Sequence, residues 1–307
     1  MKPAIQRLCE ELRSAGWGDR FSENTPLAPY TTYRIGGAAD IVFQATSSVE
    51  LQELWRLAHK YEVPWLVLGR GSNVLVADRG VRGLVVINRC RGWELTPMGT
   101  LKVASGELLS DVARQTASAG WAGLEWGVGI PGSIGGAVVG NAGAHGGYLG
   151  DVLESVTILE GGEVKTLAAA EIGLGYRTSR FKAVRNGNRP LILEATLGLR
   201  PGDAEALQHQ MAEWMRWRAE HHPKEPSAGS VFKRTARYPA GFLIDQAGLK
   251  GRRHGDAQVS LQHANFIVNL GNARASDVRS LVEEIQSTVE KQFGERLELE
   301  IEIIGEW

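Results

Sequence analysis

The order of apolar and polar positions changes character along the chain, and each stretch predicts a different element. Ile5, Leu8, Cys9 and Leu12 recur at helical spacing in the first segment, so one stripe of an otherwise charged helix faces a core. ADIVFQA at 39–45 is strand-like and leads to Ser47 with Glu50 three residues on, a capping-box start for a helix through VELQELWRLAHKYE. Four short apolar runs punctuated by glycine follow, PWLVLG, NVLVAD, GLVVIN and TLKVASGE, each of strand length. LLSDVARQTASAG returns to helical spacing, SVTILEGGEVKTL predicts a hairpin turning at Gly161 and Gly162, and RPLILEATLGL predicts another strand.

A Pro-Gly-Asp start at 201–203 opens a helix to His222 with Leu207, Met211, Trp214, Met215 and Arg218 at helical spacing. A domain boundary is expected there. The remainder predicts helix AGFLIDQAG, strands AQVSL and NFIVNL, helix SDVRSLVEEIQSTVEKQFG and strand RLELEIEII. In that last run Glu298, Glu300 and Glu302 alternate with leucine and isoleucine, the pattern of a strand with one wet face. The expected class is α+β, without internal repeats.

One segment fits neither period. GIPGSIGGAVVGNAGAHGG, residues 129–147, has glycine at eight of nineteen positions and no charge. From Trp126 to Gly150 no Asp, Glu, Lys or Arg occurs, and Gly132, Gly136 and Gly140 form overlapping GxxxG patterns, so the length would span a bilayer. Ten of those twenty-five residues are glycine, one is Pro131, and neither flank is basic, which argues against a lipid helix. Ile130, Ile134, Val138 and Val139 want burial, which argues against a flexible linker. What remains is a packed loop whose bare backbone admits a ligand or another chain segment. Gly127, Gly129 and Gly132 match GxGxxG, with Asp151 about twenty positions on as in dinucleotide sites. No hydrophobic strand leads into the motif and Pro131 interrupts it, so it is read as a decoy.

A second glycine loop, Gly69-Arg70-Gly71-Ser72-Asn73, lies between strand-like runs. Its N–H groups suit an anion nest, with side-chain donors on Ser72 and Asn73; an ordinary hairpin turn is the alternative. Two such loops in one apolar region favour a large phosphate-bearing cofactor.

Composition narrows the classes. A length of 307 residues suggests about two domains. Thirty-four basic and thirty-five acidic side chains leave a net charge of −1 and no basic stripe, which argues against nonspecific nucleic-acid binding. Cys9 and Cys90 have no metal or redox spacing, and charges interrupt the first helix too often for a signal peptide, so a reduced cytoplasmic compartment is expected. The seven histidines are scattered and no metal site is expected. On residue types alone Arg177 reads as surface, Ser230 as a turn residue and the three C-terminal glutamates as solvated.

Seven motifs then carry a resemblance in order along the chain: TTYRIGGAADIV, GRGSNVLVADRGVRGLVV, GIPGSIGGAVVGNAGAHGG, GYRTSRFK, PSAGSVFK, GLKGRRHGDAQVSLQHANFIVNLGNA and LELEIEIIG. The chain resembles the UDP-N-acetylenolpyruvoylglucosamine reductase family from about Pro26 to Gly305, in its shorter subgroup without the substrate-covering insertion. The resemblance implies an FAD-binding domain of vanillyl-alcohol-oxidase type over 1–200, in lobes 1–63 and 64–200, and an α+β substrate domain over 201–307. It implies FAD held by Arg34, Gly69, Gly71, Ser72, Asn73, Val74, Gly129, Ile130, Pro131, Gly132, Ser133, Gly135, Gly136, Asn141 and Gly143. It also implies that NADPH and the enolpyruvyl ether of UDP-N-acetylglucosamine use one site in turn, in a cytoplasmic monomer that makes a peptidoglycan precursor.

Arg177, Ser230 and Glu300 are the implied catalytic residues. Hydride from reduced flavin N5 goes to the β carbon, Arg177 holds the charge developing on the substrate carboxylate, and Ser230 protonates the α carbon. Glu300, beside that carboxylate, is expected to be neutral and to donate a hydrogen bond. Lys233, Lys250, Arg252 and Arg253 are candidates for the UDP diphosphate or equally for plain surface charge. Three departures stand out: Val139-Gly140 where the family has Tyr-Met, His145 where it has another aromatic residue, and Leu299-Glu300-Ile301-Glu302 where Pro-Glu-Val-Arg is common. A flavin oxidase of the same fold class and a noncatalytic nucleotide-sugar-binding protein are the alternatives.

Overall fold

A computed structural model describes residues 3–184 and 189–307 and divides the chain into two compact units. The first comprises Met1–Glu23, Ile41–Arg70 and Gly83–Arg218; the second comprises Asn24–Asp40, Gly71–Arg82 and Ala219–Trp307. Compactness therefore does not follow two contiguous ranges, because two early segments pack with the C-terminal third.

In the first unit, helix α1 (Pro3–Ser14) buries Ile5, Leu8, Cys9 and Leu12, the stripe that the spacing predicts. Helix α2 (Ser48–Lys60) buries Leu51, Leu54, Leu57 and Ala58 into the same core. Its cap differs in detail from a capping box. Ser47 Oγ accepts from the Glu50 N–H at 3.2 Å, but the Glu50 carboxylate takes the Thr46 N–H at 2.7 Å and pairs with Arg20 at 3.1 Å. Both helices cover Ile41, Phe43, Leu84 and Val86, residues of the strands Ala38–Ala45 and Val81–Asn88. At about 1.5–3 kcal/mol per buried aliphatic side chain, this stripe is the main reason α1 stays docked. Cys9 and Cys90 are free and buried in that core, and burial pushes both thiols up to about 11.

The other half of this unit is a five-stranded antiparallel sheet ordered Glu163–Ala168, Leu153–Glu160, Leu191–Gly198, Thr100–Ala104, Trp93–Leu95. The hairpin pairs Glu160 with Glu163 across Gly161-Gly162, as expected. Helix α3 (Leu109–Ser118), helix α4 (Ile134–Gly140) and Phe181 of the short helix α5 (Arg180–Ala183) share one core with the sheet. Helix α4 corrects the expectation of a packed loop across the glycine-rich segment. Ser133 caps it by accepting the Gly136 N–H at 3.3 Å, and Ile134, Ala137 and Val138 supply a buried face in under two turns. Helix α6 (Ala204–His221) starts with Asp203 accepting the Ala206 N–H at 2.9 Å, and of its predicted stripe Met211 alone is fully buried.

The second unit packs helices α7 (Ala240–Gln246) and α8 (Ala275–Phe293) with the antiparallel strands Arg253–His254, Ala257–Val259 and Ile267–Asn269. Asp78 accepts the N–H groups of Ala275 and Ser276, at 2.7 and 3.0 Å, where α8 begins. Burial works against the charged form of Asp78, but these hydrogen bonds outweigh it and hold its carboxyl below the usual range. Gly294 ends α8 at φ +67°, returning its N–H to Glu290 at 2.9 Å. The predicted strand over 296–304 is reduced to Glu302–Ile304, which pairs in parallel with Val74–Val76. Its earlier half makes one antiparallel bridge, Leu299 to Phe232.

Candidate active site

In the first unit the implied catalytic arginine lies in the turn Gly175–Thr178, whose two end residues bridge each other. The turn is fastened to the glycine-rich segment three times. Arg177 Nη2 donates to the Gly143 carbonyl at 2.6 Å, Asn141 Nδ2 donates to the Gly175 carbonyl at 3.0 Å, and Ser179 Oγ donates to the Val139 carbonyl at 2.7 Å. Asn141 Oδ1 also accepts the Gly150 N–H at 2.9 Å, so both ends of this amide serve the scaffold. A short glycine-rich stretch thus fixes the plane of a guanidinium.

Backbone strain points to the same places. Six described non-glycine residues have positive φ, and four of them, Arg34, Asn141, His145 and Arg177, fall within the motifs of the sequence reading. Such conformations cost of order 1 kcal/mol or more and persist where surrounding bonds over-determine them. His145 keeps the aromatic character of its position by stacking on Trp214, with centroids 4.7 Å apart and planes 7° from parallel. Burial, reinforced by the positive charge of Arg218, lowers its pKa and so favours the neutral ring.

The glycines sort by what a side chain would meet. A Cβ at Gly129 would lie 2.8 Å from Met215 Sδ, one at Gly135 3.1 Å from Ser105 Cβ, and one at Gly143 2.3 Å from the Tyr148 ring. Those are demands of packing. Gly140 has nothing within 4 Å, and Gly136, one turn earlier, meets Ser133 Oγ alone, at 3.5 Å. Each glycine costs a helix about 1 kcal/mol relative to alanine, yet no protein atom needs these two. A bare helical face of this kind fits a flat cofactor lying along the backbone. Gly69 belongs to the same neighbourhood, since its Cβ would lie 2.2 Å from Ser133 Oγ. Ile130 packs partly into the core, Pro131 is exposed, and the Gly132 carbonyl accepts the Leu109 N–H at 3.0 Å.

In the second unit the loop after Gly71 is no hairpin turn. Trp65–Leu68 pairs with Val81–Asn88, whereas Val74–Val76 pairs with Glu302–Ile304. Gly71, at φ +59°, approaches the Tyr30 carbonyl so closely that a Cβ would sit 2.3 Å from it. Ser72 and Asn73 are half-buried, and Arg34 is exposed. Asn73 Nδ2 donates to the Glu300 carbonyl at 3.2 Å, and the Asn73 carbonyl accepts the Glu302 N–H at 2.9 Å. Val74 opposes Glu302 in the parallel register.

Glu300 and Ser230 lie on adjoining backbones. The Glu300 N–H donates to the Val231 carbonyl at 2.8 Å, beside the isolated antiparallel bridge between Phe232 and Leu299. Asn265, for which the local sequence carries no signal, bonds both backbone groups of Phe232. Of the three C-terminal glutamates, Glu298 is exposed while Glu300 and Glu302 are half-buried. The candidate phosphate-binding cations carry carboxylate partners: Lys233 with Glu298 at 3.4 Å, Lys250 with Asp245 at 3.0 Å, Arg252 with Glu284 at 2.7 Å and Arg253 with Asp256 at 3.3 Å. Among the described residues no group of three or more His, Cys, Asp or Glu is placed to hold a metal, and no helix is long and apolar enough to cross a membrane.

Residues 39–168 match the family described as an FAD binding domain, and residues 221–304 match the C-terminal domain of UDP-N-acetylenolpyruvoylglucosamine reductase. A reductase of that name from Symbiobacterium thermophilum is 42% identical over 99% of this chain and 98% of its own length. One from Synechococcus sp. is 43% identical over 99% and 96%. The crystal structure of the Thermus caldophilus enzyme superposes with a TM-score of 0.78 at 38% identity, covering 91% of this chain and 97% of that one. The α+β class and the FAD-binding domain of the sequence reading are borne out. Bare glycine face, pinned arginine and paired Ser230 and Glu300 segments therefore sit in a chain that belongs to the UDP-N-acetylenolpyruvoylglucosamine reductase family, FAD-dependent oxidoreductases.

Proposed function

We propose that this chain reduces the enolpyruvyl ether of UDP-N-acetylglucosamine to the lactyl ether of UDP-N-acetylmuramate, with NADPH as electron donor, as a cytoplasmic monomer supplying peptidoglycan precursors. FAD, when bound, supplies the two electrons and one of the two hydrogens that saturate the enol-ether double bond. Gly69, Gly71–Val74, Gly129–Ser133, Gly135, Gly136, Asn141, Gly143 and Arg34 hold it, and the uncovered face at Gly136 and Gly140 supports that assignment.

Arg177 binds the substrate carboxylate. Its bond to the Gly143 carbonyl orients the guanidinium, so its planar set of donors meets the charge that builds on the carboxylate during reduction. Ser230 gives its hydroxyl proton to the α carbon, which completes the addition of two hydrogens across the double bond. A hydroxyl is a weak acid, and the strongly basic enolate-like carbon makes the transfer feasible. Glu300, neutral beside the carboxylate, donates a hydrogen bond to it.

The observation that supports these roles is the Glu300 N–H bond to the Val231 carbonyl, which brings two motifs far apart in sequence onto adjoining backbones. The test is NADPH oxidation that depends on the enolpyruvyl nucleotide; a yellow protein without that dependence overturns the reading. Ser230→Ala is expected to let NADPH bleach the flavin while the nucleotide reoxidises it slowly. Equal slowing of both half-reactions removes the proton-donor role. Glu300→Gln is expected to keep much of the activity, and a loss as deep as that of Glu300→Ala argues for a charged or proton-shuttling glutamate.

A further inference from the structure

We infer that Asn265 is a positioning residue for proton transfer from Ser230, acting through the backbone of Val231 and Phe232; the inference rests on the reading of Ser230 as proton donor. Residues 231–233 run between two neighbours and form a long strand with neither. On one side the Glu300 N–H donates to the Val231 carbonyl and the Lys233 N–H to the Glu298 carbonyl, both at 2.8 Å. On the other side the Val231 N–H donates to the Asn265 carbonyl at 2.8 Å. There the side chain of Asn265 takes over the role of a strand. Its Oδ1 accepts the Phe232 N–H at 3.0 Å and its Nδ2 donates to the Phe232 carbonyl at 2.9 Å.

One carboxamide thus reproduces both halves of a peptide group. Asn265 is 7% exposed and Phe232 1% exposed, so water does not replace these bonds when they are lost. The residue type is demanded by the geometry. Aspartate has the acceptor but not the donor, and alanine has neither. Asn265 is itself held, because its N–H donates to His263 Nδ1 at 3.2 Å while the His263 N–H donates to Ser260 Oγ at 3.3 Å. A ring nitrogen that accepts leaves the ring proton on Nε2.

Ser230 lies between this clamp and a glycine in the left-handed region. Gly229 adopts φ +74°, and nothing lies within 4 Å of where its Cβ would be. Ala228, on the far side of that glycine, is buried in the core of the unit, and the clamp at Val231 and Phe232 fixes the other end of the short segment that carries the serine hydroxyl. The same carbonyl of Val231 receives Glu300, which makes the clamp common to both residues.

The test compares full-length, flavin-loaded Asn265→Ala, Asn265→Asp and Ser230→Ala in the two half-reactions. Bleaching by NADPH is expected to stay at the wild-type rate in the Asn265 variants. Reoxidation by saturating enolpyruvyl nucleotide is expected to slow ~10- to 100-fold, as small misplacements of reacting groups do, with KM little changed. Its solvent deuterium isotope effect should rise, and Ser230→Ala/Asn265→Ala should be no slower than Ser230→Ala alone. Wild-type reoxidation in both Asn265 variants beside a slow Ser230→Ala overturns this inference and leaves the role of Ser230 standing. Wild-type reoxidation in Ser230→Ala overturns the role of Ser230 and the inference with it. If Asn265→Ala does not fold, Asn265→Asp, which keeps the acceptor for the Phe232 N–H but loses the donor to its carbonyl, still decides through the half-reactions: slowed reoxidation beside normal bleaching supports the clamp, and wild-type reoxidation overturns it.

Discussion

The turn that carries Arg177 and the segment that carries Ser230 are held in opposite ways. Around Arg177 three side chains reach backbone carbonyls, and the arginine contributes one of those bonds itself from a strained φ of +54°. Around Ser230 the backbone does most of the holding, with flanking segments on both sides and one carboxamide filling a gap in the ladder. A group that must grip an anion needs its own plane fixed, whereas a hydroxyl with one rotor needs chiefly its Cα placed. The difference teaches where mutations act: near Arg177 they change orientation directly, and near Ser230 they change it through the chain.

The largest expected effect would sharpen that contrast. Arg177→Lys keeps the charge but loses the planar fork, so kcat should fall ~100-fold or more while flavin absorbance is retained. Steady-state NADPH oxidation checks this, and near-normal turnover would break the comparison. Next in size is the pair Gly140→Val and Gly135→Val. With open space at Gly140 the first should fold and lose its yellow colour, as should Gly136→Val, whereas Gly135→Val forces a contact with Ser105 and should unfold at lower temperature. A yellow, active Gly140→Val would mean that the bare face serves nothing.

Asn141→Ala removes both amide bonds and puts alanine at φ +41°, with an expected loss of about 2–4 kcal/mol in denaturant unfolding. The smallest effect belongs to the other unit. Asp78→Ala should cost about 1 kcal/mol, the ordinary value for a helix N-cap. The Asp78 carboxyl is held below its usual range, so its contribution is full above the ordinary carboxylate pKa and is lost as pH falls through the lowered one. Thermal scans from neutral to acid pH should therefore show wild type and Asp78→Asn converging in stability at the acid end.

Local patterns were readable, and long-range pairings were not. The stripe of α1, the Ser47 cap and the Gly161-Gly162 hairpin follow from neighbours within a few residues, where periodicity and turn chemistry act. Helix α4 escaped because three of its seven residues are glycine, and tertiary packing of Ile134, Ala137 and Val138 overrides that propensity. The strand over 296–304 broke into a bridge and a parallel pair because its partners lie in other segments, which alternation cannot reveal. The site divides along the same line. Motif resemblance named Arg177, Ser230 and Glu300, while residue types alone left them as surface, turn and solvated strand. The asparagines that hold them gave no local signal, since Asn141, Asn265 and Asn73 bond groups 34, 33 and 227 residues away.

The last of these separations bears on how the molecule is made. Val74–Val76 waits for Glu302–Ile304, and Asp78 waits for the first turn of α8. During synthesis from the N-terminus the second unit therefore stays incomplete until Glu302–Ile304 have been made, and its early segments must remain unpaired meanwhile. A truncation before Glu302 would remove the parallel partner strand, so the unit carrying Ser230 would be denied closure by a change that leaves the serine itself intact.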